Sequence, residues 1–160
     1  MIAIAAVTAS WGIGKDGDLP FRLKGDMKHF RELTARGTVI MGRKTLDSLP
    51  GGKPLPKRRN IVITRDPDFF REGVEAARSI EEAVTMTAGD EKVWVCGGGE
   101  IYRAMLPLCD RASITHVEAD LDCDTFFPEL TADPRWVLES QEPAIAEGET
   151  TYYFAEYVRR

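Results

Sequence analysis

Short, wholly apolar runs alternate along this chain with stretches whose apolar residues recur every third or fourth position. Ile2 to Thr8 is apolar almost throughout, as expected of a central strand covered on both faces. Thr38 to Met41 and Val93 to Cys96 read the same way. Asn60 to Thr64 and Ala112 to Glu118 add two more strands, and Gly73 to Ala77 a short one. Between Leu19 and Leu33, Pro20 and Gly25 mark a turn, after which Met27, Phe30 and Leu33 fall on one side of a helix beginning near Gly25. Lys28, Arg31 and Glu32 take the opposite, solvated side, and Gly37 is expected to cap the end. Gly42-Arg43-Lys44-Thr45 opens a short helix through Leu49, and Pro50 to Pro56 is expected to be loop.

Ser79 with Glu82 forms a capping box for a helix buried through Ile80, Ala83 and Val84. Gly97-Gly98-Gly99 leads into the helix EIYRAML, stopped at Pro107. Ser10 to Asp18 and the segment after Glu118 read as loops, the first of them mobile. Trp136 to Glu139 and Thr151 to Val158 alternate in the manner of antiparallel strands, joined by a loose hairpin. Strands alternating with helices and then a closing hairpin predict a single α/β domain over 1–160: a three-layer sandwich with a mostly parallel central sheet and an antiparallel C-terminal hairpin.

Composition narrows the class. The 160 residues, 43% hydrophobic and 29% charged, are ordinary for a globular chain. Three cysteines without a CxxC pair argue for a reducing compartment and against a zinc site or disulfide framework. The apolar N-terminus has no basic residue before Lys15, which reads as a buried strand rather than a signal peptide and predicts a cytoplasmic protein. A net charge of −5 disfavours nucleic acid as a partner, and no apolar run approaches a membrane span. The charge is uneven: Arg43 to Arg65 holds seven basic residues against one acid, leaving −11 on the remainder. A basic island on an acidic protein suits a small anionic ligand, although charge runs are commonly just solvated surface.

Asp26 shares the apolar side of its helix with Phe30 and Leu33. Acids suit the first turn of a helix, which is one sufficient reason for it. The other is that the carboxylate faces a pocket and holds a ligand bearing paired N–H donors. The three glycines of VWVCGGGEIY leave bare backbone at a strand-to-helix turn, where a phosphate can approach, unless they serve only a tight crossover. They are not the dinucleotide fingerprint, because Tyr102 stands where the last glycine belongs. MGRKT is a second such turn, and Thr64-Arg65 ends the neighbouring strand. Two phosphate turns on one sheet edge imply a dinucleotide, and Arg43 and Arg65 suit an extra 2′-phosphate. Asp120, Asp122 and Asp124 resemble the start of a calcium loop, but Thr125 replaces its glycine and Thr131 its closing glutamate.

Taken together, GIGKDGDLPF, the Asp26-to-Phe30 helix, VIMGRKT, PLPKRRNIVIT, VCGGGEIY, ITHVEAD and DTFFPE, in that order, resemble dihydrofolate reductase of the bacterial type along essentially the whole chain. The resemblance implies NADPH-dependent reduction of 7,8-dihydrofolate to tetrahydrofolate, by a monomer that binds a small-molecule substrate and antifolate inhibitors and no metal. Asp26 then accepts hydrogen bonds from the pterin 2-amino group and N3, supported by Thr115 through its hydroxyl and a water. Ile4, Ala5, Met27, Phe30, Leu49, Leu55, Cys96 and Tyr102 match the substrate walls, and Arg58 matches the arginine that grips the glutamate α-carboxylate.

On the cofactor side, Gly42, Arg43, Lys44, Thr45, Ile63, Thr64, Arg65 and Arg78 match the adenosine-phosphate region. Cys96, Gly97, Gly98, Gly99, Glu100, Ile101 and Tyr102 match the pyrophosphate and nicotinamide region, where the family's Gly–Gly peptide is cis. Ala6, Ile13, Gly14, Leu19 and Thr125 match contacts of the lid and its surroundings, with Asp124 bracing the lid. Phe21 stands where the family usually has tryptophan, Cys123 where bacterial members commonly have glycine, and Cys96 where isoleucine or valine is frequent. Two rivals keep the cofactor turns: the NADPH-dependent reductase of riboflavin biosynthesis, and a non-catalytic NADP-binding module. Neither needs Asp26 beside an apolar wall.

Overall fold

The computed structural model describes residues 1–17 and 20–160. Its frame is a sheet whose central strands are apolar on both faces because both are covered. In chain order the strands are β1 (Ile2–Val7), β2 (Gly12–Gly14), β3 (Thr38–Gly42), β4 (Arg59–Ile63), β5 (Val74–Ala77), β6 (Val93–Val95), β7 (Arg111–Val117), β8 (Thr125–Phe126), β9 (Trp136–Gln141), β10 (Ile145–Glu147) and β11 (Thr150–Arg159). The main sheet runs β10-β11-β7-β1-β6-β3-β4-β5, with β9 also paired to β11. From β7 to β5 every pairing is parallel, whereas β11 runs antiparallel to each neighbour.

Alternation along each strand divides the core in two. Ile4, Val39, Met41, Val62 and Trp94 face the helices α1 (Lys24–Thr34) and α2 (Arg43–Ser48), packing with Phe30, Leu33 and Leu46. Ala3, Val7, Ile40, Ile61, Val95 and Ile114 face α3 (Ile80–Met86) and α4 (Gly99–Met105), packing with Ala83, Tyr102 and Met105. The three layers expected from the pattern are therefore present.

Several local expectations need correction. The left-handed residue that ends α1 is Arg36 (φ 61°), not Gly37, whose N–H instead donates to Thr34 O. In the capping box, Ser79 accepts from Glu82 N, but Glu82 reaches back to Arg78 N rather than to the cap residue. Pro50–Gly52 forms a 3-10 turn inside the expected loop. Two strands lie in segments read as loop: β2 pairs with β8 through Gly12↔Phe126 and Gly14↔Thr125. Likewise the segment after β9 contains β10, which forms a tight hairpin with the first part of β11, while β9 pairs with its last part. Among the described residues no helix is long and apolar enough to cross a membrane, and the three cysteines are free.

Candidate functional site

The carboxyl ends of β1, β6, β3 and β4 lie side by side, because these strands are parallel neighbours, and most of the sequence-predicted residues gather there, whereas Arg58 stands just before the amino end of β4, against the end of α1. The register Ala6↔Thr115 sets Thr115 level with the end of β1. Its hydroxyl donates directly to Asp26 Oδ1 at 2.6 Å. Asp26 thus turns its carboxylate toward the sheet rather than toward bulk solvent. Burial is the largest influence on it and pushes its pKa above the ordinary carboxylate value, while the Thr115 hydrogen bond and His29 pull it down and Glu147 adds an upward push. A half-buried acid with one hydrogen-bond donor has acceptor capacity left for a ligand's paired N–H groups.

The apolar walls follow the same logic. Ile4, Phe30, Leu49, Leu55 and Cys96 belong to one packed cluster on the α1 face of the sheet. Ala5 points to the opposite face and packs in the other cluster with Ile13 and Ile101. Met27 is 45% exposed and forms no part of either core, although its spacing places it with Phe30 and Leu33. Tyr102 is buried beneath the site and its hydroxyl donates to Ile4 O at 2.6 Å, tying α4 to β1. Burial raises the Cys96 thiol to about 12, so it stays protonated and serves as wall.

Arg58 donates to neutral oxygens, Nη1 to Thr34 Oγ1 at 2.9 Å and Nε to Pro56 O at 3.0 Å. A guanidinium steered by two neutral acceptors keeps its charge and its remaining N–H groups for an anion. The rest of the basic island divides. Arg59 is bound to Glu75 at 2.6 Å and Asp90 at 2.9 Å, toward the amino ends of the strands, and so is structural. Arg43 pairs with Asp66 at 2.9 Å and lies over the Phe69 ring, so an internal carboxylate already answers the cation at the start of α2. Lys44, Arg65 and Arg78 are exposed along the same rim, with Thr45 and Thr64 half-buried beside them.

The glycine run is more divided than its sequence implies. A Cβ on Gly97 would lie 2.9 Å from the Tyr102 ring, and one on Gly99 would lie 2.8 Å from Thr125 Cγ2. Those two are bare because the protein packs against them. Gly98 meets nothing closer than Thr45 Oγ1 at 3.5 Å, so open backbone lies between the starts of α2 and α4, neither of which has a side-chain cap. Gly42 N donates to Gly97 O at 2.8 Å and joins the two turns. The Gly97–Gly98 peptide is cis. An uncapped, glycine-lined cleft between two helix starts is chemically suited to a pyrophosphate. Glu100 is exposed, and Ile101 packs toward the core.

The loop over this edge is held from below. Asp124 Oδ2 accepts from Asp16 N at 2.8 Å, Asp124 N donates to Gly14 O at 2.9 Å, and Lys15 pairs with Asp122 at 3.1 Å. Cys123 Sγ occupies the space beside Gly12, 2.4 Å from where a Cβ there would stand. Ala6, Ile13, Gly14 and Thr125 are half-buried around this loop, and Leu19 lies outside the described residues. Phe21 packs with Leu23, Val117 and Tyr152. Sequence reasoning missed Thr34, which is fully buried and steers Arg58, and Glu147, which accepts the N–H groups of Lys24 and Gly25. Both partners act across long sequence separations, where no local pattern signals them.

Comparison with known proteins adds an independent finding. The family model described as dihydrofolate reductase matches residues 1–159. The chain is 40% identical over 160 residues to the dihydrofolate reductase of Mycobacterium tuberculosis (strain ATCC 25618 / H37Rv), covering 98% of this chain and 96% of that protein. It is 40% identical over 149 residues to that of Haemophilus influenzae, covering 93% and 91%. Among solved structures, dihydrofolate reductase from Enterococcus faecalis complexed with NADP(H) and RAB-propyl superposes with a TM-score of 0.90 at 34% identity, covering 99% of this chain and 95% of that one.

Proposed function

The chain belongs to the dihydrofolate reductase family, and we propose that Asp26, steadied by Thr115, is the group that binds the pterin ring and makes it ready for reduction. The reaction is the NADPH-dependent reduction of 7,8-dihydrofolate to 5,6,7,8-tetrahydrofolate. The observation that carries the residue assignment is the 2.6 Å Thr115–Asp26 hydrogen bond on the face that also holds Ile4, Phe30, Leu49 and Cys96.

Asp26 accepts the ring's 2-amino and N3 hydrogens, and its negative charge favours a proton at N5. Phe30, Leu49, Leu55 and Ile4 hold the ring and the aminobenzoyl group by apolar contact, Met27 closes over the mouth, and Arg58 takes the glutamate α-carboxylate. Cys96 completes the wall, and Ala5 and Tyr102 lie beneath as the floor. NADPH supplies the hydride, to C6 of the pterin. Arg43, Lys44, Thr45, Thr64, Arg65 and Arg78, with Gly42 and Ile63, hold its adenosine-phosphate end. Gly97 to Tyr102 and Thr125 line its pyrophosphate and nicotinamide end, with Ala6 of β1 and, from the lid above, Ile13 and Gly14 making contact. Orientation and the fixed charge of Asp26 carry the catalysis, and the proton comes from water. Residues 1–160 form one domain, working as a cytoplasmic monomer on small molecules, without nucleic acid or membrane.

The test follows NADPH absorbance with and without dihydrofolate in the wild type and Asp26→Asn. Replacing the carboxylate sacrifices two charge-assisted hydrogen bonds of about 1.5–3 kcal/mol each, so turnover at neutral pH falls roughly 100-fold or more. It recovers partly in acid, where the substrate arrives protonated. Undiminished turnover of Asp26→Asn at neutral pH refutes the assignment.

A further inference from the structure

We propose that Glu147 is a positioning residue for the reduction, holding the first turn of α1 from the β10–β11 hairpin so that Asp26 stands opposite Thr115. The residue preceding α1 is Leu23, which offers no side-chain acceptor, so the helix has no cap of its own. Glu147 supplies one from 122 residues away: Oε2 accepts from Lys24 N at 2.8 Å and Oε1 from Gly25 N at 3.0 Å. Tyr152 Oη lies 3.5 Å from the same Oε1 and presses on Gly25 so closely that a Cβ there would be 1.9 Å from it.

These contacts belong to one ladder. β10 pairs with β11 through Glu147↔Thr150 and Ile145↔Tyr152, and β11 pairs with β7 through Phe154↔Thr115. The cap on α1 and the partner of Asp26 are thus carried on three consecutive strands. Phe154 adds a third attachment by stacking on His29 of α1, with ring centroids 3.7 Å apart. Movement of the hairpin would shift the helix start, and Asp26 with it, relative to Thr115.

Glu147 also acts through its charge. The N–H groups of Gly25 and Lys24 hold its carboxyl below the ordinary carboxylate range, so it is ionised at neutral pH. The groups facing Asp26 are His29 of α1, Thr115 of β7, Glu147 of β10, Tyr152 of β11 and Tyr102 of α4, and of these Glu147 is the anion. Lys24 and Tyr152 face Glu147 itself. A fixed negative charge beside Asp26 favours proton binding in the site and extends activity to higher pH.

The proposal rests on Asp26 being the pterin-binding carboxylate, and the experiment separates the two. Steady-state turnover of wild type, Glu147→Gln, Glu147→Asp and Asp26→Asn is measured across pH at saturating NADPH, with NADPH affinity and melting temperature measured on each. Glu147→Gln raises the dihydrofolate KM several-fold and moves the alkaline limb of activity to lower pH, with NADPH affinity unchanged. Glu147→Asp keeps the charge, so its limb stays in place even where its shorter reach raises KM. A Glu147→Gln variant with wild-type KM and limb overturns the proposal. So does a joint fall of both affinities and melting temperature with an unmoved limb, which marks a merely structural brace. Full turnover in Asp26→Asn removes the reading of Asp26 itself, whereas collapse there beside an unmoved Glu147→Gln profile removes only the role of Glu147.

Discussion

Replacing Gly25 by alanine sets two effects of known size against each other. Alanine is the better helix former, by up to about 1 kcal/mol in a helix interior and less in a first turn. Here, however, the added methyl would lie 1.9 Å from Tyr152 Oη and 3.2 Å from Cζ, at the end of a rigid ring that is 1% exposed. A buried ring cannot swing aside, so α1 or β11 must give way, and such overpacking costs about 1–3 kcal/mol. Overpacking wins: Gly25→Ala should destabilise by about 1–2 kcal/mol, which lowers the melting temperature by roughly 2–8 °C in a chain of this size. The same shift displaces Asp26, so the dihydrofolate KM should rise while NADPH affinity holds. In a Tyr152→Phe background the closest atom is gone and the remaining contact needs only a small adjustment, so the same alanine should cost little or nothing. Urea unfolding of the four proteins in this double-mutant cycle measures the coupling, expected at about 1–2 kcal/mol. A Gly25→Ala protein as stable as wild type, or an equal cost in both backgrounds, refutes the reasoning.

Two further outcomes follow from the site. Asp26 has its folded-state pKa raised above 3.8, chiefly by burial, so the stability it contributes is present below that value and lost as pH rises through the folded-state pKa. Asp26→Asn should therefore be more stable than wild type at neutral pH, with the gain fading in acid, as urea titrations at both extremes will show; a variant less stable at neutral pH contradicts this. Arg58→Lys should raise the dihydrofolate KM about 10-fold, the loss of roughly one charge-assisted hydrogen bond. A pterin substrate without the glutamate tail should show no change, and an equal loss on both substrates would assign Arg58 elsewhere.

The parallel core was legible because strands buried on both faces must be apolar throughout, and only their ends shifted by a residue or so. The strand expected from Asn60 to Thr64, for example, runs over Arg59–Ile63, where pairing with β3 defines it. β2 and β8 were not legible. They exist only through pairing with each other across more than a hundred residues, and Gly12–Gly14 carries no alternation to announce it. β10 was hidden in a polar segment for the same reason.

In the site, Asp26 stood out because a carboxylate in an apolar stripe demands an explanation, and the structure supplies Thr115. Met27 shared that stripe yet faces outward, since spacing reports a helix side and not what covers it. Gly25 looked like a turn residue, but its bareness serves the close approach of Tyr152. The cation at the start of α2 implied an external anion, and Asp66 already provides one from within the chain.

The position of β1 between β6 and β7 bears on how the molecule is made. β1 leaves the ribosome well before either strand that flanks it, since both begin some ninety residues later or more. Until then the nascent chain carries an apolar ribbon of Ile, Ala and Val with no neighbour on either edge, the kind of segment that chaperones hold. The hairpin that caps α1 emerges later still. Asp26 therefore waits for a hairpin made more than a hundred residues later before its helix is held in place, so translation halted before that hairpin should leave the candidate site encoded but unassembled.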